Sequence, residues 1–525
     1  MYIELCVCGD RIMRGGSLRR FKVYVPNEQG GGGLMRWQTP SPYAPPPFIG
    51  SWGDPQIGAG VKDMAKDFLK GVTGGLKSSV KKRSLSEVPR GIKRGASQAL
   101  KNELKRKVAK SITPIQVHVE RQSDLTDLSR SFVQLDLGFK TTENASLTAC
   151  ANNVGVMTSP ANNIAHTLFK QINFRANGTL LTEQVDMYHL KAFIQTILNY
   201  DRNDGETILE PAGWRNEIDS PVTYTAANVK MDDDAYTALS INHQESIKRQ
   251  RADATEYYAG GKRRILRMKP FIDAFHQGKW IVPKTLLELE FYLNPAALFM
   301  NGEANPPSEE IRVNPEDIKL TFFLCLVSLN PAVYMSMMSM MTKTPTKYPM
   351  IRTEMRQFPL EINNPFNGKV PKRVIIGILK TTAFNGQYNE DPLAFGKFGV
   401  EYIKQIVNGE EYPYETLELN TANGQKDLVG YHRFLDATGC LYRNAGNMVR
   451  FKDWGHGKNC TLFAFSNVAN GRHDDPVLLP KNEGFINIHI KCAGQASQKT
   501  VIVYAEYESI MEIDGIKGAT TMEVH

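Results

Sequence analysis

Three short clusters of histidine, cysteine and acidic residues in this sequence could do chemistry. In "DWGHGKNC", His456 stands four residues before Cys460, a spacing that could bring an imidazole and a thiolate to one metal ion. The run Asp232–Asp234 offers three carboxylates, the oxygen ligands that hard cations prefer. His473–Asp475 places a histidine next to two carboxylates, the residue types that acid–base catalysis uses.

None of these clusters is a complete site. His456 and Cys460 lack a second ligand pair, and so does the C-x-C of Cys6 and Cys8. Neighbouring residues in one loop, such as His473–Asp475, rarely form a working acid–base pair. The sequence also contains no G-x-x-x-x-G-K-[ST] phosphate loop, no H-E-x-x-H and no G-x-S-x-G. We therefore predict that the protein is not an enzyme, with no catalytic residue, no bound metal and no cofactor.

Cysteine usage and hydropathy suggest the compartment. The chain of 525 residues has seven cysteines, an odd and sparse set that favours reduced thiols inside a cell. The start, "MYIELCVCGDRIMRGG", has only a short apolar run, so we expect no signal peptide. The uncharged stretch Leu320–Met341 is long enough to span a bilayer, but Asn330-Pro331 interrupts it. We interpret it as a buried strand, a turn and a helix whose methionines fill space in the core.

The net charge of +8 is unevenly distributed. Residues 61–110 contain 15 Lys or Arg and 4 Asp or Glu, a net charge of +11. Within them Val61, Met64, Phe68, Val72, Leu76 and Val80 recur at helical spacing, which predicts a helix with an apolar stripe and a basic face. A basic arm on a mildly acidic body indicates a polyanionic partner for the arm.

The remaining sequence is typical of β-sandwiches. Residues 1–60 are rich in glycine and proline and predict loops. "TLLELEFYLNP" alternates apolar and polar residues, and the more apolar "IKLTFFLCLVSLNP" follows it; "GFINIHIKCAG" and "TVIVYAEYESIM" repeat this order about 200 residues later. The repetition predicts two β-sandwiches in tandem, with a boundary between about Leu329 and Thr353. We expect each alternating strand to lie beside its apolar partner in one sheet.

From about Ile112 to Gly518 the sequence resembles the double jelly-roll major capsid protein of Polinton (Maverick) transposable elements and of the related adintoviruses. The resemblance rests on ordered blocks. They are "INFRANGTLLTEQVDMYHLKAFIQTILNY", "RRILRMKPFIDAFHQGKWIVPKTLLELEFYLNPAALFM", "IKLTFFLCLVSLNPAVYMSMMSMMTKTPTKYPMIRTEMRQFPL", "PKRVIIGILKTTAFNGQYNEDPLAFGKFGVEYIKQIVNGEEYP" and "KTVIVYAEYESIMEIDG". The second block departs from the family's usual H-x-D-[LIF]-F, and residues 1–111 are not covered.

The resemblance implies an all-β fold of two tandem jelly-roll β-sandwiches with inserted short helices. The charge pattern separately predicts a flexible basic N-terminal arm before them. We divide the chain into a disordered segment (1–60), a basic amphipathic arm (61–111), a first jelly roll with a linking helix (112–345) and a second jelly roll (346–525). In the first block, the residues after Glu183 predict a helix that turns Met187, Leu190, Ile194, Ile197 and Leu198 inward. This helix either closes its own domain or lines a subunit seam through Tyr188, Phe193 and Tyr200.

The resemblance also implies a structural, hexon-like protein. Its partners would be further copies in a homotrimer and then a capsid lattice, penton and minor capsid proteins, and packaged double-stranded DNA. Assembly would take place inside the host cell, in the nucleus, to give a virion. Two alternatives stay open: a jelly-roll carbohydrate-binding protein, and a domesticated nucleic-acid-binding protein that acts through the basic arm.

Two further predictions concern residues 1–111. "MRGGS" resembles the [MIL]-x-G-G pattern of adenain-like proteases, with cleavage between Gly16 and Ser17. The arm would contact DNA phosphates without reading bases, or would bind anionic membrane through Phe68, Leu69 and Leu76. The predicted phosphate contacts are Lys77, Lys81, Lys82, Arg83, Arg90, Lys93, Arg94, Lys105, Arg106 and Lys107.

Overall fold

A computed structural model of the chain describes two N-terminal strands and most of residues 114–524. The described residues are 2–9, 19–24 and 114–524, without 149–157, 217–255, 303–304, 308–309, 314–316, 367, 414, 420–426, 444–445, 456–459, 469–482, 494–497 and 516–517. Among them, no helix is both long enough and apolar enough to cross a bilayer.

The first sandwich is built from two facing sheets. Its strands are β1 (Tyr2–Gly9), β2 (Arg19–Tyr24), β3 (Ile115–Val119), β4 (Leu125–Leu137), β5 (Lys140–Thr141), β6 (Ser159–Pro160), β7 (Phe169–Ala176), β8 (Thr179–Leu180), β9 (Arg264–Met268), β10 (Leu287–Leu293), β11 (Met300–Asn301), β12 (Ile311–Arg312) and β13 (Ile318–Val327). One sheet has the order β3-β10-β7-β8, and the other has the order β2-β1-β13-β4-β9. Strands β5 and β12, and β6 and β11, form two short ladders.

The second sandwich has the same design. Its strands are β14 (Thr346–Phe358), β15 (Glu361–Asn363), β16 (Arg373–Lys380), β17 (Val400–Val407), β18 (Glu410–Glu411), β19 (Leu417–Glu418), β20 (Leu462–Ser466), β21 (Ile486–Cys492), β22 (Lys499–Asp514) and β23 (Ala519–Val524). One sheet has the order β14-β22-β16-β20, with β23 also paired to β22. The other has the order β15-β21-β17-β18, with β19 also paired to β17.

The strand order identifies both sandwiches as jelly rolls. In the second, with β18 and β19 counted together as position five, positions one to eight along the chain give sheets ordered 1-8-3-6 and 2-7-4-5. This is the crossed, double Greek-key connection of a jelly roll. The first sandwich repeats 8-3-6 (β13-β4-β9) and 2-7-4-5 (β3-β10-β7-β8). The prediction of an all-β fold with two tandem jelly rolls is confirmed.

Position one of the first sandwich is filled in an unexpected way. Strand β14 occupies it in the second sandwich and runs antiparallel to β22. In the first, β1 lies beside β13 at this position and runs parallel to it, with Cys6 opposite Phe323, and β2 follows as the edge strand. We interpreted residues 1–60 as loop-like, and this is wrong for residues 2–9 and 19–24, which pair with each other as strands. The glycine-rich residues that motivated the interpretation lie after Tyr24, outside the described residues.

Short helices lie in the connections between the strands. They are α1 (Ile164–Thr167), α2 (Tyr188–Asn199), α3 (Arg202–Gly205), α4 (Pro331–Met341), α5 (Thr381–Asn385), α6 (Asp427–Ala437) and α7 (Cys440–Arg443), with single 3₁₀ turns at Glu210–Ala212, Ala259–Gly261, Asp273–Phe275, Ala296–Leu298 and Phe451–Asp453. Helix α4 joins the two sandwiches. The side chain of Asn330 accepts a hydrogen bond from Ala332 N (3.0 Å), and Pro331 takes the first helical position.

Two expectations about local elements are wrong. The alternating strands β10 and β21 lie in the sheets opposite β13 and β22, because the chain crosses the sandwich between positions seven and eight. The methionines of α4 do not fill the core: Met335 and Met340 are exposed, and within α4 only Met341 is buried. The predicted Asn177-Gly178 turn is present, and both residues have positive φ, as a tight hairpin requires.

Candidate functional site

Helix α2 lies between the two jelly rolls. Ten of its twelve residues are buried, from Tyr188 to Leu198. Such all-round burial is typical of a helix that is covered on every side. One side contacts β7 of the first sandwich. Leu190, Phe193, Ile194 and Ile197 belong to the same hydrophobic cluster as the core strands of the second sandwich.

Polar and aromatic contacts fix α2 against the second sandwich. The Gln195 side-chain amide donates a hydrogen bond to Tyr504 Oη (3.0 Å), and Tyr504 Oη donates to Glu506 Oε1 (3.0 Å). The Phe193 ring stacks on Phe395 with centroids 6.1 Å apart. Because these contacts are directional, α2 sets the orientation of one jelly roll against the other.

A buried carboxylate, Asp273, ties the same junction together. Its Oδ1 accepts hydrogen bonds from Lys191 Nζ on α2 (2.7 Å) and from Thr353 Oγ1 on β14 (2.8 Å). Its Oδ2 accepts a hydrogen bond from Thr353 N (3.0 Å). The carboxylate therefore bridges a helix of the first sandwich and a strand of the second, with its charge paired by Lys191.

A second carboxylate of the first sandwich binds the same strand. Glu183 Oε2 accepts a hydrogen bond from Met355 N (2.8 Å), and Glu183 Oε1 pairs with the Arg356 guanidinium. Together Asp273 and Glu183 hold the backbone of β14 at Thr353 and Met355, two residues apart. The junction is thus held by specific hydrogen bonds and ion pairs between the two sandwiches.

Two buried histidines lie at the first-sandwich end of the junction. Tyr188 Oη accepts a hydrogen bond from Phe271 N (3.2 Å) and lies 3.0 Å from His166 Nδ1. Burial lowers the pKa of His166 to about 3, and the nearby His276 adds to this shift. Burial likewise lowers the pKa of His189 to about 4, against a smaller opposing effect of Asp186. Both side chains are therefore neutral at pH 7.

The described residues bring together only some of the predicted site residues. Tyr188 and Phe193 are buried within the chain, so the prediction that they line a seam between subunits is wrong for both. Tyr200 is half-buried and packs on the same cluster. The prediction that Met187, Leu190, Ile194, Ile197 and Leu198 turn inward is correct, since all five are buried.

The other predicted sites fall outside the described residues. These are Gly16 and Ser17, all ten basic residues predicted to contact phosphate, Asp232–Asp234, His456 and His473–Asp475. In the part of the chain that the structure describes, no group of three histidine, cysteine or acidic side chains is arranged to hold a metal ion.

Asp273, Glu183 and Gln195 were missed by the sequence analysis. One signal could have found Gln195, because it is a single amide in the apolar run "AFIQTIL". Asp273 lies in "FIDAFHQ", where the sequence departs from the family pattern. Its partner Thr353 is 80 residues away in the chain, so no local pattern indicates the contact.

Comparison with known proteins gives distant matches. No family model matches the sequence. A protein of Caenorhabditis elegans, described as uncharacterized protein F54H12.2, is 21% identical over 378 residues, which cover 68% of this chain and 80% of that protein. Among solved structures, a chain of the Sputnik virophage has 9% identity and a TM-score of 0.46, with 79% of this chain and 86% of that chain covered. The mavirus major capsid protein has 9% identity and a TM-score of 0.43, with 79% of this chain and 87% of that chain covered.

Proposed function

We propose that the protein is a major capsid protein that assembles as pseudo-hexagonal trimers in the icosahedral shell of a double-stranded DNA virus or Polinton-like element. The observation that carries the proposal is the repeated jelly-roll strand order, in which two sandwiches are joined side by side through a built interface. Jelly rolls are common building blocks of viral shells. Two similar sandwiches per chain let three chains place six sandwiches in one ring, which approximates a hexagon.

The sequence resemblance supports the finer parts of this proposal. It extends over roughly 400 residues in ordered blocks, and it implies a homotrimer, contacts with penton and minor capsid proteins, and a location in the virion after assembly in the host nucleus. The junction at α2 fits this role, because a shell protein must hold its two sandwiches at a fixed angle. The carbohydrate-binding alternative predicts instead a monomer that binds glycans.

The oligomeric state tests the proposal directly. We expect the purified full-length protein to run in size-exclusion chromatography with light scattering as a trimer, near three times 58.9 kDa. The full chain is the right material, because removing residues 1–111 would also remove β1 from the edge of the first sandwich. A folded protein that stays monomeric at micromolar concentration, or one that binds glycans as a monomer, would contradict the capsid proposal.

We further propose that residues 61–110 bind the packaged DNA. Their net charge of +11 would neutralise phosphates and release counterions. If about six phosphates are contacted, the logarithm of the affinity for duplex DNA should fall against the logarithm of salt concentration with a slope of roughly −5.

The matched variant replaces Lys81, Lys82, Arg83, Lys105, Arg106 and Lys107 by glutamine and leaves both sandwiches unchanged. We expect a much smaller salt slope and weaker binding at low salt. Equal DNA affinity for the two proteins would exclude the arm as the DNA-binding element. Flotation with anionic liposomes that is lost in Phe68→Asp would favour membrane binding instead.

A further inference from the structure

The two sandwiches carry equivalent sheet faces in unequal environments. In the second sandwich, the face of β22 and β16 that points away from its own core includes Ile375, Tyr504 and Glu506. All three are buried, and the Gln195 side-chain amide of α2 donates a hydrogen bond to Tyr504 Oη. Thr353, opposite Glu506 on β14, bonds to Asp273 of the first sandwich. The first sandwich therefore covers this outer face of the second.

Among the described residues, no element covers the equivalent face of the first sandwich. On β4, β13 and β9 the outward positions include Phe132, Phe323, Gln134, Arg267 and Ile265. Ile265 is 63% exposed, and the two phenylalanine rings, with centroids 4.7 Å apart and nearly parallel, are only half-buried. The Arg267 guanidinium lies 5.4 Å from the Phe132 ring centroid. The stacked aromatics, the exposed isoleucine and the arginine are residue types enriched or tolerated at the core of an interface, and the charged Asp136 and Lys319 lie beside them on the same face.

Helix α2, which covers the outer face of the second sandwich, has a counterpart in α6. In the first sandwich, the chain between position five (β8) and position six (β9) begins, among the described residues, with helix α2. In the second sandwich, α6 has the same place between position five (β18 and β19) and position six (β20). Helix α6 packs on β20 with Phe434 buried. Two apolar residues of its first turn are exposed among the described residues: Leu428 is 60% exposed and Val429 is 52% exposed.

We propose that the outer face of β4, β13 and β9 binds the α6 side of the second sandwich of another copy of this chain. The proposal rests on the proposed function and names the surfaces through which that trimer closes. The proposed binding partner is a second copy because an equivalent contact already exists once within the chain. There α2 of the first sandwich packs on the outer face of the second sandwich. When one surface of a subunit binds a different surface of the next subunit, the contact is heterologous. If the rotation that relates neighbouring subunits closes, the subunits form a ring.

The first test uses one substitution on each surface. Ile265→Asp and Leu428→Asp each place a charge in the contact without touching a buried side chain, and we expect association to weaken by roughly 100-fold or more in each. Ile208→Asp is the matched control, since Ile208 is 61% exposed but lies outside both surfaces. We expect this control to remain a trimer. Circular dichroism and thermal melting should show that all three variants are folded.

Mixing the two variants tests the pairing of the surfaces. Each variant alone keeps one of the two surfaces and lacks the surface that would bind it, so both should be monomers. In an equimolar mixture, the intact α6 of Ile265→Asp meets the intact sheet face of Leu428→Asp, and we expect heterodimers that do not close into a ring. Light scattering of a mixture that contains only monomers would overturn the pairing.

The outcomes separate this inference from the capsid proposal. If the wild-type protein is a trimer and Ile265→Asp or Leu428→Asp is also a trimer, the capsid proposal stands and the inferred surfaces are wrong. If the wild-type protein is itself a folded monomer, both are wrong. A trimer that is lost in both variants, kept in Ile208→Asp and partly restored as heterodimer by mixing supports the inferred contact.

Discussion

Replacing Asp273 by alanine is expected to lower the free energy of unfolding by about 3–5 kcal/mol. The side chains of Asp273 and Lys191 are 8% and 12% exposed, so the substitution leaves the Lys191 charge buried without its partner. It also removes the acceptor for both hydrogen bonds from Thr353. Urea unfolding followed by tryptophan fluorescence would measure the loss.

A surface ion pair of the same region provides the control. Lys170 and Asp186 lie 2.9 Å apart with side chains 34% and 59% exposed. Exposed pairs of this kind contribute about 0–1 kcal/mol, so Asp186→Ala should change stability little. Equal losses for Asp273→Ala and Asp186→Ala would show that Asp273 does not hold the two sandwiches together.

Acid should destabilise the fold through the two buried histidines. In the unfolded chain a histidine binds its proton below about pH 6.5, whereas in the folded protein the pKa of His166 is about 3 and that of His189 about 4. Between these pKa values the unfolded state binds more protons than the folded state. The free energy of unfolding therefore has its full value above pH 6.5 and falls as the pH decreases. Each histidine should lower stability by about 1.4 kcal/mol per pH unit, or about 2 kcal/mol between pH 6.5 and pH 5.

The His189→Leu variant isolates one half of this effect. His189 Nδ1 is buried and has no hydrogen-bond partner among the described residues, so an apolar side chain removes a titrating group without breaking a bond. We expect its urea midpoint to fall less between pH 7 and pH 5 than that of the wild-type protein. His118→Leu, at an exposed position beside Glu288, is the control. Identical midpoints at pH 7 and pH 5 in the wild-type protein would refute the predicted acid sensitivity.

The repeat of alternating and apolar strands was sufficient to predict two tandem sandwiches, because side-chain alternation reports burial directly. It could not assign strands to sheets. Strand β22 is buried on both faces because the first sandwich covers its outer side, and such a strand gives the same apolar run whichever sheet it joins. The alternation of β10 shows only that one face is buried, not which strands lie beside it.

Helix α2 shows the same limit at the level of the site. Its apolar spacing predicted the inward residues correctly, but a helix buried on all sides has no side that periodicity can mark as outward. The aromatic side chains and the family resemblance favoured a subunit seam for Tyr188 and Phe193, but both are buried within the chain itself. The methionines of α4 gave the opposite error, since an uncharged run predicts burial, whereas four of the five methionines are exposed or half-buried and only Met341 is buried.

The position of α2 has a consequence for the order of events during synthesis. The ribosome releases α2 about 150 residues before β14, so the helix is available before the strands that it covers exist. Domains generally fold as they emerge, N-terminal first. Because α2, Glu183 and Asp273 supply the cover for β14, β16 and β22, we expect the first sandwich to act as an intramolecular template on which the second completes its fold. A nascent chain halted after the first sandwich would present an apolar helix without its cover, which is the kind of surface that chaperones recognise.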